Sequence, residues 1–194
     1  MKPPRMFITD HVAPQRWRNG GGITRELLAC PEHGDWSLRI SVADIETDGP
    51  FSTFPGVTRW FTVIEGAGVE LDVAGTAHVL RPGDPPLNFD GAESANCRLL
   101  AGATRDLNLM LRGRTGSMSR VGHAQAWSPG LACCGLYAAV AGRCVVNDVE
   151  EPIDLPAHAL LWFDEAPACI RFDAAEASAS PAGWWMSADQ LENE

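Results

Sequence analysis

A side-chain period of two runs through most of this chain, and it confines the fold to strands. In Trp36-Ser-Leu-Arg-Ile-Ser-Val, Trp36, Leu38, Ile40 and Val42 share one face while Ser37, Arg39 and Ser41 share the other, as successive residues of an extended strand must. Residues 60–64, 69–73, 107–111, 136–140 and 160–163 read as further strands. Turn signals such as Thr47-Asp48-Gly49-Pro50, Phe54-Pro55-Gly56 and Arg81-Pro82-Gly83-Asp84 separate them. Helical periodicity is absent until residues 187–192, which read as a final helical turn after a loose Ala- and Ser-rich connector at 174–181. The class is all-β, and 194 residues with 45% hydrophobic content suffice for one large β-domain or two small packed ones.

A weak repeat suggests two. Val63-Ile64-Glu65-Gly66 can be laid on Ala139-Val140-Ala141-Gly142, and Ala77-His78-Val79-Leu80 on Ala157-His158-Ala159-Leu160, so one hairpin-rich unit is used twice. Gly113-Arg114-Thr115-Gly116-Ser117 is the most loop-like stretch between them, giving units of residues 1–112 and 113–194.

Charge limits the partners. A formal net charge of −10, with no stripe of Lys and Arg, removes the counterion-release drive for nucleic acids and anionic membranes. No apolar run approaches a membrane span and the first ten residues lack a signal-type apolar core, so a cytoplasmic protein is expected. The six cysteines form no CxxC pair and most sit in apolar surroundings, which reads as buried free thiols.

The most unusual stretch is Trp17-Arg18-Asn19-Gly20-Gly21-Gly22-Ile23-Thr24-Arg25-Glu26. Three successive glycines ask the backbone to turn tightly or to approach something closely. With Trp36-Ser-Leu-Arg-Ile-Ser-Val-Ala, Asp48-Gly-Pro-Phe-Ser, Phe54-Pro-Gly-Val-Thr-Arg, Ile64-Glu-Gly and Asp106-Leu-Asn-Leu-Met, it closely resembles the HutD/Ves family, over roughly residues 14 to 112. That resemblance implies a double cupin, two jelly-roll-type β-barrels in one chain. It also implies a role associated with histidine utilisation, with formylglutamate or a related carboxylate as the ligand.

Cupin enzymes hold a metal with closely spaced histidines and a glutamate, because several ligands must converge on one ion. Here His78 and His158 stand alone in their strands and His11, His33 and His123 fall in loops, so neither metal nor cofactor is expected. A polar set on strands remains: Arg39 and Ser41 on one, Arg59 on the next, and Asp106, Asn108 and Arg112 at period two on a later one. Facing into a barrel, arginines with Asn, Ser and Thr donors suit an organic anion; facing outward, they are an ordinary solvated face.

Asn19, Gly20 and Gly21 either offer backbone amides to a carboxylate or form a plain turn. Thr24 and Glu26 share a face, and Arg25 with Glu26 reads as a solvated pair. Among the tryptophans, Trp36, Trp60 and Trp162 read as core and Trp17 as a pocket wall. Trp184 and Trp185 read as cover for a sheet edge or for a subunit contact, which would make a homodimer.

No nucleophile, base and orienting group stand together, so no catalytic residue is assigned. The leading expectation is a non-catalytic, regulatory protein that binds a small organic anion at Asn19, Gly20, Gly21, Thr24, Glu26, Arg39, Ser41, Arg59 and Asn108. A cupin enzyme acting on a small carboxylate, metal-independent or with a cryptic metal, using Glu26 or Asp106 with His78, is the alternative. A structural protein with a vestigial pocket is a third.

Overall fold

The computed structural model describes residues 2–122, 125–148, 151–176 and 181–190; His123, expected in a loop, lies outside them. Among the described residues there is one 3-10 turn, Thr9–His11, and otherwise strand and loop. The chain divides into two compact units, one of Val12–Gly113 and one formed by the residues up to His11 together with those from Arg114 onward. The first eleven residues, expected with the first barrel, thus belong with the second: β1 (Arg5–Ile8) pairs antiparallel with β17 (Ala159–Phe163).

The unit of Val12–Gly113 is two antiparallel sheets. The larger joins β2 (Gln15–Arg16), β3 (Gly22–Cys30), β4 (Leu38–Ile45), β11 (Thr104–Arg112), β6 (Val57–Glu65) and β9 (Leu87–Asp90), in that spatial order. The smaller joins β5 (Gly49–Pro50), β10 (Ala95–Leu99), β7 (Val69–Val73) and β8 (Thr76–Leu80). Ile45, Phe61 and Val63 from the first meet Val69, Leu71, Val73, Ala95 and Cys97 from the second in one apolar core. Alternation along β4 is as expected, yet neither face is wet: Leu38, Ile40 and Val42 are at most 1% exposed, and Ser41 on the opposite face is 3% exposed.

The second unit repeats this plan. Its sheets are β1-β17-β14-β19-β12 and β13-β18-β15-β16, with β12 (Gly116–Arg120), β13 (Ala126–Trp127), β14 (Cys133–Ala138), β15 (Gly142–Val146), β16 (Ile153–Leu155), β18 (Ile170–Ala174) and β19 (Gly183–Ala188). The order β12-β19-β14-β17 reproduces β4-β11-β6-β9, and β13-β18-β15-β16 reproduces β5-β10-β7-β8.

The repeat is therefore barrel-wide, with a register different from the one the residues suggest. Three residues link β6 to β7 and three link β14 to β15, so Gly142 opens β15 as Val69 opens β7 and does not stand in the place of Gly66. His158 lies just before β17, the counterpart of β9, at φ +56°, so it is neither within a strand nor equivalent to His78. Composition aligned two hairpins here, while ladder pairing, which composition does not record, sets the true register.

Other expectations also shift. Ser187 and Ala188 close β19, so the helical turn does not start there, and residues 191 and 192 lie outside the described part; residue 174 ends β18. Trp184 and Trp185 are 1% and 3% exposed. Trp185 stacks on Trp127 at 4.8 Å and Trp184 lies 6.2 Å from Tyr137, so neither offers a surface to a partner. None of the six cysteines forms a disulfide; burial pushes the Cys97 and Cys144 thiols up to about 12 and the Cys134 thiol higher still.

Candidate functional site

The inner face of the larger sheet of the Val12–Gly113 unit opens into a cavity of about 570 Å³. Adjacent strands build its floor by register: Ser41 of β4 lies opposite Asn108 of β11, which lies opposite Phe61 of β6, and Met110 lies opposite both Arg39 and Arg59. The period of two sends all of these side chains to the same face. Of the nine residues expected to bind, Asn19, Thr24, Arg39, Ser41, Arg59 and Asn108 line this cavity. The polar side of the alternation looks inward.

Arg59 is the centre of the site. It is 5% exposed, its Nη2 donates to Asn108 Oδ1 at 3.0 Å, and its Nε is buried with no acceptor. That bond fixes the Asn108 amide, since the oxygen that accepts from Arg59 leaves Nδ2 as a donor. Burial and the neighbouring Arg39 draw the Arg59 guanidinium down to about 10, which still leaves it a cation at neutral pH. Among the described residues no carboxylate pairs with it. Arg39 differs: its Nε donates to Glu26 Oε2 at 2.6 Å.

Charge around the cavity runs against the charge of the chain. Arg16, Arg18, Arg39 and Arg59 line it and no Asp or Glu does, in a protein of net charge −10. Arg16 and Arg18 are exposed on the β2–β3 hairpin at the mouth. An aromatic wall of Trp17, Phe51, Phe54 and Phe61 completes the lining; Trp17 Nε1 donates to Thr24 Oγ1 at 2.8 Å, which orients both.

The glycine run is a turn and not an anion nest. The Gly20 amide donates to the Trp17 carbonyl and the Gly21 amide to Asn19 Oδ1, each at 3.0 Å, so both amides are spent on the loop. Gly20 sits at φ +75°, and a Cβ on Gly22 would fall 2.4 Å from the Asp44 carbonyl oxygen; the glycines let the hairpin close against β4. Gly20 and Gly21, expected to bind, do not line the cavity, and neither does Glu26, whose carboxylate is held by Arg39.

Arg25 is not paired with Glu26. It joins Asp44 at 2.5 Å, which also takes Arg105 at 2.6 Å, in a row across β3, β4 and β11. Burial raises the Asp44 carboxyl, but Arg105 and Arg25 outweigh it and hold it below the usual range.

Asp106, on the same face of β11 as Asn108 but outside the cavity lining, is fully buried, accepts from Thr104 Oγ1 at 3.1 Å and leaves Oδ1 unpartnered, and burial raises it well above the usual carboxylate range. Arg112 is exposed and packs over Trp36. His78 lies on β8 in the smaller sheet, and neither it nor Glu26 nor Asp106 lines the cavity. Among the described residues no three His, Cys, Asp or Glu side chains converge as metal ligands do, and no helix is long and apolar enough to cross a membrane. Gln15, Arg16, Arg18 and Phe51 were missed as lining. The recurrence of Arg and Gln beside the glycine run and the Gly-Pro-Phe-Ser block pointed toward them, but a two-residue strand such as β2 and the loop positions of Arg18 and Phe51 carry no periodicity from which a facing direction can be read.

The model of the HutD family matches residues 9–180. This chain belongs to the HutD family. Its cavity is thus carried by a HutD-type barrel. An uncharacterised 21.2 kDa protein in the hutC 3' region of Pseudomonas putida is 43% identical over 101 residues, 48% of this chain and 50% of that protein. The chain thus spans about half the length of that relative. Protein Ves of Cronobacter sakazakii is 31% identical over 144 residues, 73% of this chain and 79% of that one. The structure of HutD from Pseudomonas fluorescens SBW25 (formate condition) superposes with a TM-score of 0.82 at 26% identity, covering 96% of this chain and 98% of that one. Oxalate decarboxylase of Bacillus subtilis, at 8% identity and a TM-score of 0.65 over 97% of this chain and 78% of that one, shares the cupin-like fold alone.

Proposed function

We propose that this HutD-family protein binds a small organic anion, a carboxylate, in the cavity of the Val12–Gly113 unit, and that binding serves a regulatory role related to histidine utilisation. One observation carries the reading: a buried arginine without a carboxylate partner among the described residues, at the floor of a cavity lined by four arginines and no acid. A buried guanidinium loses several kcal/mol of hydration that only an anion restores in full. A carboxylate seated there would accept from Arg59 and from Asn108 Nδ2, with Ser41 and Thr24 as further donors and the aromatic wall against its apolar part. Family membership and the hutC-region relative support the link to histidine utilisation, and N-formylglutamate, the ligand the family resemblance implies, is the first candidate.

Titration calorimetry and thermal unfolding with N-formyl-L-glutamate, urocanate and formate test this. At a hundred times its dissociation constant the true ligand stabilises the fold by about 2.7 kcal/mol, and Arg59→Ala removes the effect. If none of these anions produces heat or a thermal shift, the binding reading is wrong.

A further inference from the structure

On the anion-binding reading above, Arg59 must stay charged and oriented in a protein that gives it no carboxylate partner among the described residues. Rings take that place. The Arg59 Cζ lies over Phe89 at 5.1 Å, over Phe51 at 5.3 Å and over Phe54 at 5.8 Å. Phe89 comes from β9, directly opposite Arg59 in the β6–β9 register. Phe51 and Phe54 come from the loop that follows β5, and both also line the cavity.

That loop is tied down at both ends. The Phe51 amide donates to the Ala95 carbonyl at 2.8 Å and the Phe54 amide to the Gly91 carbonyl at 2.6 Å, while Ser52 and Thr53 between them are exposed. Trp17, edge-on at 6.2 Å, and Phe61, at 5.7 Å, brace the Phe51 ring. The ring positions are thus set by the scaffold and not by Arg59 alone.

We propose that Phe51, Phe54 and Phe89 are positioning residues: an aromatic cage that stands in for a counter-ion, fixes the Arg59 guanidinium and leaves its cavity side open to the incoming carboxylate. The physical reason lies in the ring quadrupole, whose negative face attracts a cation without accepting its N–H groups. A Glu in the same place would neutralise the charge and compete with the ligand, whereas a ring face holds the cation and leaves its charge to be met by an anion. Asn108 at Nη2 completes the orientation.

Leucine keeps the apolar bulk of phenylalanine and lacks the quadrupole; tyrosine keeps both. Binding of N-formyl-L-glutamate and formate is compared by calorimetry in the wild type, F51L/F54L and F51Y/F54Y, alongside nitrogen-15 NMR of the Arg59 Nε–H group, which needs no ligand. The expected result is roughly tenfold weaker binding in F51L/F54L, within the range of two desolvated cation–π contacts, and near wild-type binding in F51Y/F54Y. The Nε–H resonance, shifted by ring currents and slow to exchange in the wild type, moves and exchanges faster in the leucine variant only.

Unchanged affinity and an unchanged resonance in F51L/F54L, or equal losses in both double variants, overturn the cage while leaving the binding site standing. A wild type that binds neither probe sinks the binding reading itself and the cage with it.

Discussion

Arg59 has the marks of a residue kept for binding at the expense of stability. A buried cation without a carboxylate lowers the stability of the empty fold, and replacing such a charge by an apolar side chain of similar reach is often neutral or stabilising. Arg59→Met is expected to raise the urea-unfolding stability of the ligand-free protein by about 1–2 kcal/mol while abolishing anion binding. A destabilised Arg59→Met protein would mean that the guanidinium is structural.

Asp106 makes the opposite titration argument. Burial raises its folded-state pKa, so the folded state holds its proton to higher pH than the unfolded chain does. Stability from this group is full below the ordinary carboxylate range and is lost as pH rises from there towards the raised value. Asp106→Asn removes that loss: the midpoint gap between variant and wild type should be small at pH 4 and widen in favour of the variant by pH 8. A constant gap would show that Asp106 ionises freely in the fold.

At the level of elements, the larger sheet separates two kinds of polar row. On the cavity side, Arg39, Ser41, Arg59 and Asn108 form a polar lining. Arg25, Asp44 and Arg105 form an ionic row across β3, β4 and β11, with Glu65 3.9 Å from Arg105 at its end. Asp44→Ala leaves two partly buried arginines without this carboxylate and is expected to cost about 1–2 kcal/mol, reduced from the fully buried case because each member keeps some solvent. Anion affinity should change little. Loss of binding in step with stability would mean that the row shapes the cavity.

Strand existence was readable at this scale because a side-chain period of two residues leaves a clean mark in the sequence. The pairing of Arg39 with Glu26, in place of Arg25 with Glu26, was not: neighbours in sequence leave a strand on opposite faces, and the true partner comes from the adjacent strand.

Across the whole molecule, the internal repeat is one of topology. Two barrels follow the same strand order, yet the first carries the arginine-lined cavity, while the core of the second is filled by apolar side chains such as Leu136, Phe163, Phe172 and Trp185. The chain's first strand crosses over to the second unit, where β1 pairs with β17 along Arg5 to Ile8. Deleting residues 1–8 removes that ladder and is expected to lower the thermal midpoint and to increase hydrogen exchange in β17. Exchange in β4 and β11 should stay near wild type. Loss of protection in β4 and β11 first would place the structural role of β1 elsewhere.

Alternation, turn residues and the glycine-rich hairpin determined by themselves that the chain is all-β, where β4, β6, β7, β11, β14 and β17 lie and which of their side chains share a face, because those properties depend on neighbours two residues apart. The family motifs added the barrel type. Whether the polar face turned inward, that the buried Arg59 has no carboxylate partner among the described residues, that the Gly20 and Gly21 amides were spent on their own turn, and which unit claimed the first strand were decided by tertiary structure alone. Each depends on register between strands distant in sequence and on the closing of a sheet over its own polar face, and neither leaves a local trace.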